Sequence, residues 1–415
     1  MRALLISTLL AAATTVPAAA QRLRQPAGHP DHGLPIADAD WRPYHADREH
    51  VLNRIWRRLY LVRCVPKDVA TALPREHGDE REYFVGGWYF GKRAGRPEDE
   101  RLFGGDGRQL PVEGFDAARS AELTKWLGEV DGDVAKQLRA RPRAAVWFQH
   151  DLLRLARRLL DTEQNPELLA PLWRCALRVA LPRDVLRSDA LRTFALADVA
   201  AALPDFDPAQ SVEVARRSSR LFDAQWVQLW STIHVQFPGR STDETLAWIT
   251  AEERAEPLPL HAIAVLQQGI VAIDEHGESC ATSLAIEARV QRLQNRDPLS
   301  FDNDTTTRDG VDFAMWSLAR RTVRDLKHDA KVPFAALRGI DMNGQELFRD
   351  YGTRKHTTYA AQCALCHRRT HGPDEELAGF SALRTTSKPR RAAPGERQRL
   401  AEVEMQRFVD ELRAR

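Results

Sequence analysis

The pentapeptide CALCH, residues 363–367, constrains this chain more than any other stretch. Two cysteines three positions apart on one helical turn point their sulfurs to the same side, and a histidine follows at once. Such a spacing serves a redox dithiol, half of a zinc site, or thioether attachment to the two vinyl groups on one edge of a haem. A structural zinc site needs four ligands, commonly a second pair, yet the chain has no other C-x-x-C and only His371 close by. A thioredoxin-like dithiol follows a strand and opens a long helix, and neither TTYAAQ before the motif nor RRTHGPDEE after it reads that way. The spacing therefore predicts covalent haem c, one per chain. Cys363 and Cys366 would carry the thioethers, and His367 would be the proximal iron ligand.

The N-terminus gives an independent expectation of export. Arg2 forms a positive start, Ala3 to Val16 an apolar run, and Ala18-Ala19-Ala20 a small-residue cleavage site before Gln21. Residues 1–20 thus read as a signal peptide, and the mature chain as periplasmic or secreted. No later run approaches the ~18 apolar residues of a membrane span, so no transmembrane segment is expected. A formal net charge of +2 over 415 residues argues against nucleic acid as a partner. Of the five cysteines, Cys64, Cys175 and Cys280 are left after the motif, so at least one is free, buried or paired between chains.

The fold class expected is mainly α or α+β, with a large N-terminal helical and mixed region followed by a small all-α haem module. Residues 21–50 are polar and proline-bearing, an irregular lead-in. Residues 51–202 are mainly helical. Their clearest helix is AAVWFQHDLLRLARRLL, whose stripe Ala145, Phe148, Leu152, Leu155, Ala156 and Leu159 opposes Arg154, Arg157 and Arg158. His150 shares a face with those arginines and is expected to meet solvent. YFVGGWYF (83–90) reads as short strands or a turn. Residues 211–300 form an α+β region: IHVQF is strand-like, Ser241 and Glu244 make a capping box, and AIAVLQQGIVAID followed by EHGE is strand and turn. The acidic stretch 301–310 lacks the glycine and glutamate spacing of a calcium loop and reads as surface. No phosphate-binding, dinucleotide-binding or nucleophile-elbow motif occurs, so no catalytic residue is assigned.

NGQELF (343–348), YAAQCALCH (359–367) and the amphipathic tail from Glu396 to Leu412 resemble a class I c-type cytochrome. The resemblance covers residues 341–415. It implies an all-α module in which a first helix, the haem-binding turn and a crossing C-terminal helix enclose the cofactor. There are two departures. Phe348 lies far upstream of the first cysteine, where Tyr359 would have to substitute, and residues 368–395 contain no methionine for the distal face. The distal ligand is therefore open, with Met405 and His356 as candidates. Met405 shares a stripe with Ala401, Phe408, Val409 and Leu412, the pattern of a core residue. The rest of the chain is similar to exported proteins of unassigned function that end in one C-x-x-C-H, through AVWFQHDLLRLARRLL, GIVAIDEHGE and SLAIEARVQRL.

These features predict one-electron transfer rather than catalysis. The alternatives are a peroxidase-type haem enzyme, or a partner-binding protein with a redox appendage. Nine Lys/Arg against five Asp/Glu between residues 343 and 392 would favour an acidic redox partner.

Overall fold

Two periodicities, 3.6 and 2, divide this chain into a helical layer and an antiparallel sheet. The computed structural model describes residues 42–63, 82–84, 87–90, 115–215, 228–251, 258–293, 311–318, 320–325, 338–341, 348–351, 354–358, 370–371, 376–377 and 390–415.

Helix α1 (Val51–Tyr60) runs into β1 (Leu61–Arg63), which pairs antiparallel with β2 (Glu82–Phe84); β3 (Gly87–Phe90) follows. Helix α2 (Ala117–Glu129) starts where the Asp116 carboxylate accepts from the Arg119 amide, and α3 (Gly132–Arg139) where Asp131 accepts from the amides of Asp133 and Val134. Pro142 begins α4 (Pro142–Thr162), where its fixed φ and missing N–H cost nothing. Helices α5 (Leu169–Arg178), α6 (Arg183–Leu186) and α7 (Leu196–Ala202) complete this layer.

A meander then builds the sheet from β4 (Val212–Ala215), β5 (Leu229–Gln236), β6 (Ile263–Ile273), β7 (Ser279–Leu293), β8 (Val311–Ser317) and β9 (Arg338–Asp341). Helix α8 (Thr242–Thr250) interrupts it after β5, opened by the Ser241–Glu244 capping box. Short α9 (Arg320–Asp325) lies between β8 and β9. A separate three-stranded sheet, in the order β10-β11-β3, uses β10 (Phe348–Tyr351) and β11 (Arg354–Thr358). After the β12 (Thr370–His371) and β13 (Glu376–Leu377) pair, β14 (Arg390–Arg391) joins the edge of the meander beside β4. Helix α10 (Glu396–Arg413) ends the chain.

The main core lies between one sheet face and the helices. Helix α10 packs across β5 and β7 and also meets α4, and α4 lies on β6. Strand alternation divides the sheet's apolar residues. Ile263 and Val265 belong to this core, whereas Ala264 between them joins a second cluster with Val235, Phe237 and Trp248 near α8.

The mixed helix-and-sheet architecture agrees with the α+β expectation. The small all-α module over 341–415 is not found among the described residues, where residues 338–391 contribute only strands. Phe348, expected on a first helix, sits in β10 opposite Thr357. The final helix forms, but its stripe is covered mainly by the large sheet, with α4 alongside. Ala401, Met405, Phe408, Val409 and Leu412 are all buried in the main core.

Two features fix the β6–β7 hairpin. The Asp274 carboxylate accepts from the amides of His276 (3.0 Å) and Glu278 (2.9 Å), and Gly277 adopts a φ of 76°. Arg413 closes over this turn, donating to the Gly277 carbonyl at 2.6 Å and to Glu278 at 3.1 Å, with its guanidinium stacked on Trp173. At Gly269 the strand is bulged, and a Cβ there would fall inside the Trp230 ring.

Candidate functional site

Cys363, Cys366 and His367 lie outside the described residues, as do the leader 1–20, Cys64 and the acidic stretch 301–310. The motif occurs in the chain between β11 and β12. His356, a candidate distal ligand, is on the central strand β11, in register with Arg349 of β10 and Tyr89 of β3. His371 pairs with Glu376 across β12 and β13. Met405 is fully buried between α10 and the sheet. Of the nine basic residues counted around the motif, Arg390 pairs with Glu396 and Arg391 with Asp243 at 2.6 Å.

The densest polar chemistry that the structure describes is on α4. This helix is buried on nearly every side from Pro142 to Ala156, polar residues included. Asp151 is wholly buried, and Arg320 of α9 grips it with two hydrogen bonds, Nε to Oδ2 at 2.9 Å and Nη2 to Oδ1 at 2.6 Å. The Tyr44 hydroxyl donates to the same carboxylate, and its ring meets Phe148 edge to face at 5.1 Å. The Arg320 guanidinium also lies over Trp147, 5.1 Å from the ring centre. Three chain-distant segments, at residues 44, 151 and 320, thus converge on one carboxylate.

His150 corrects the expectation of a solvent-facing residue. It is 2 % exposed, and its Nδ1 has no hydrogen-bond partner among the described residues. Burial, then the charges of Arg154 and Arg320, push its pKa well below the ordinary histidine value, so the ring is neutral. Arg154 is buried too, and Arg143 is buried while donating to the carbonyls of Ala190 and Arg192. The arginine face of α4 looks solvated in isolation. Arg154 on that face is buried, while Arg157 stays partly exposed, paired with Asp161 at 2.8 Å and lying over Phe408 of α10. Chemically the cluster is a buried clamp: Asp151 is paired with Arg320, and the neighbouring His150 imidazole is held neutral.

Residues 42–50 are irregular, as expected, but they are anchored. Asn53 accepts from the amides of Tyr44 and His45 and donates to the carbonyls of His45 and Asp47. The rings of His45 and His50 stack at 3.8 Å. Each Nδ1 accepts a backbone amide, from Asp47 and Leu52 respectively, which leaves the proton on Nε2 and suits packing better than metal binding. Burial and the neighbouring His45 lower the His50 pKa to about 4. Cys175 and Cys280 are free and buried, and burial raises the Cys175 thiol to about 12, too high for reactivity.

Among the described residues no group of three His, Cys, Asp or Glu could hold a metal, and no helix is long and apolar enough to cross a membrane. No family model, no curated protein and no solved structure matches this chain.

Proposed function

We propose that this chain is an exported one-electron carrier with a single haem c at CALCH. The observation that carries the reading is the C-x-x-C-H spacing at 363–367 in a chain whose N-terminus has the features of an export signal. Cys363 and Cys366 each add a thiol across one vinyl group, and His367 offers its imidazole to the iron. Haem bound there supplies a reversible one-electron couple. The donor set of two thiols and one imidazole at adjacent positions suits that group, and no catalytic acid–base pair is assigned beside it.

Met405 is not the distal ligand in this reading. Its burial at 0 % exposure in the core of α10 means that ligation would pull a side chain out of a packed interface. If no other residue of this chain takes that place, haem held there by His367 would leave room for peroxide, which favours peroxidase-type chemistry as a second reading. The redox partner is an acidic protein, attracted by the basic residues around the motif.

The test is expression with a working c-type maturation system. The mature protein should begin at Gln21, carry one added haem by intact mass, and give a c-type pyridine haemochrome. Cys363→Ala with Cys366→Ala should lose the covalent haem. A mature mass with no haem overturns the proposal. Peroxide-dependent turnover of a chromogenic electron donor would favour the peroxidase reading over the carrier.

A further inference from the structure

A cavity of about 580 Å³ opens between the 187–196 segment, the start of α10 and the β6–β7 hairpin. This is within the range of small-molecule sites, roughly 300–1,000 Å³. Its floor is apolar and rigid. Phe194 and Trp230 are 2 % and 5 % exposed, and the Trp230 indole N–H donates to the Thr282 carbonyl at 2.8 Å, which fixes the ring.

Its rim is cationic. Arg187, Arg192 and Arg399 line it with a single carboxylate, Glu402. That carboxylate is already engaged, accepting from Arg187 Nη2 at 2.8 Å and from the Ala281 amide at 2.7 Å. The contact of Arg192 with Asp189 is between exposed side chains, a pairing that water screens. Arg399 makes no ion pair among the described residues; its Nη1 donates to the Pro394 carbonyl at 2.9 Å. Three guanidinium groups against one committed carboxylate leave a positive rim over an apolar floor.

The wall adds acceptors. Gln398 Oε1 is buried and has no partner among the described residues, and Gln267, 9 % exposed, donates only a long 3.4 Å bond to the Phe194 carbonyl. Gln398 and Gln267 thus add polar side chains to the wall. We propose that this cavity binds a small organic acid. Its carboxylate or phosphate meets Arg399 and Arg192, and its apolar body rests on Phe194 and Trp230. Planar guanidinium forks suit such oxyanions through paired hydrogen bonds.

Calorimetric titration of the full mature chain tests this, with indole-3-acetate, its neutral amide and inorganic phosphate as probes. The acid should bind at least ten-fold more tightly than the amide and than phosphate. Arg399→Gln should weaken the acid at least ten-fold, and Ala195→Trp, which fills the cavity, should abolish binding. Both variants should keep the parent melting temperature, because both positions are partly or fully exposed. Equal affinity for acid and amide overturns the proposal, as does affinity unchanged in both variants. So does the absence of heat with every probe.

Discussion

Asp151 shows how much at the level of single residues depends on partners far away in the chain. Its carboxylate is fully buried and satisfied by Tyr44 and Arg320, so removing one partner leaves the other stranded in a medium of low dielectric. Arg320→Ala should therefore destabilise the fold by about 3–5 kcal/mol in urea unfolding. Converting Asp151 and Arg320 together to apolar residues of similar size should cost much less than either change alone. The histidines give a pH prediction. His50 and His234 have pKa values lowered to about 4 by burial, from 6.5, and His150 is lowered in the same direction. Each binds its proton more weakly when folded, so the unfolded chain takes up more protons as the medium acidifies. Stability should be full above about pH 6.5 and should fall progressively toward pH 4. The urea midpoint measured across that window checks it. A flat profile would contradict the burial of these rings.

Among the elements, α10 and the β6–β7 hairpin hold each other. Met405, at the centre of the α10 stripe, is buried on the sheet, so Met405→Ala should cost about 2–5 kcal/mol through lost contacts and a cavity. If the proposed haem is bound, the same variant should leave its oxidised spectrum unchanged, separating packing from ligation. Gly277 is doubly constrained: its φ of 76° favours glycine, and a Cβ would meet the Arg413 guanidinium at 2.5 Å and the Leu177 and Trp173 side chains beyond it. Gly277→Ala should destabilise by about 1–3 kcal/mol, visible as a lowered unfolding midpoint. The element types here were readable locally. The Ser241–Glu244 box, the Asp274 turn and the period-3.6 stripe of α10 all became what their residues indicate, whereas α4 is buried well beyond its stripe.

At the scale of the whole molecule, the C-terminal helix belongs to the body. Its stripe joins the same core as α4 and β7, with Glu402 accepting from the Ala281 amide and its backbone carbonyl from the Ser279 hydroxyl at 2.8 Å. Deletion of residues 390–415 should accordingly remove cooperative unfolding of the entire chain, read by near-ultraviolet circular dichroism. A detachable haem module would leave that signal intact when its last helix is cut away.

The sequence by itself determined the Ser241–Glu244 cap, the turn at Asp274–Gly277 and the apolar stripes, because each depends on residues only a few positions apart. Even Met405 was legible as a core residue from its spacing to Phe408 and Leu412. What only the tertiary structure decided was the covering of each face. An apolar stripe demands burial without naming its partner, so α10 could pack on a helix or on a sheet, and the seven-stranded sheet took it. The arginine face of α4 likewise reads as solvated until Arg320 and Tyr44, both remote in sequence, close over Asp151 and strand His150 in the interior. Periodicity encodes which side of a helix is apolar; long-range packing alone decides what lies against the polar side.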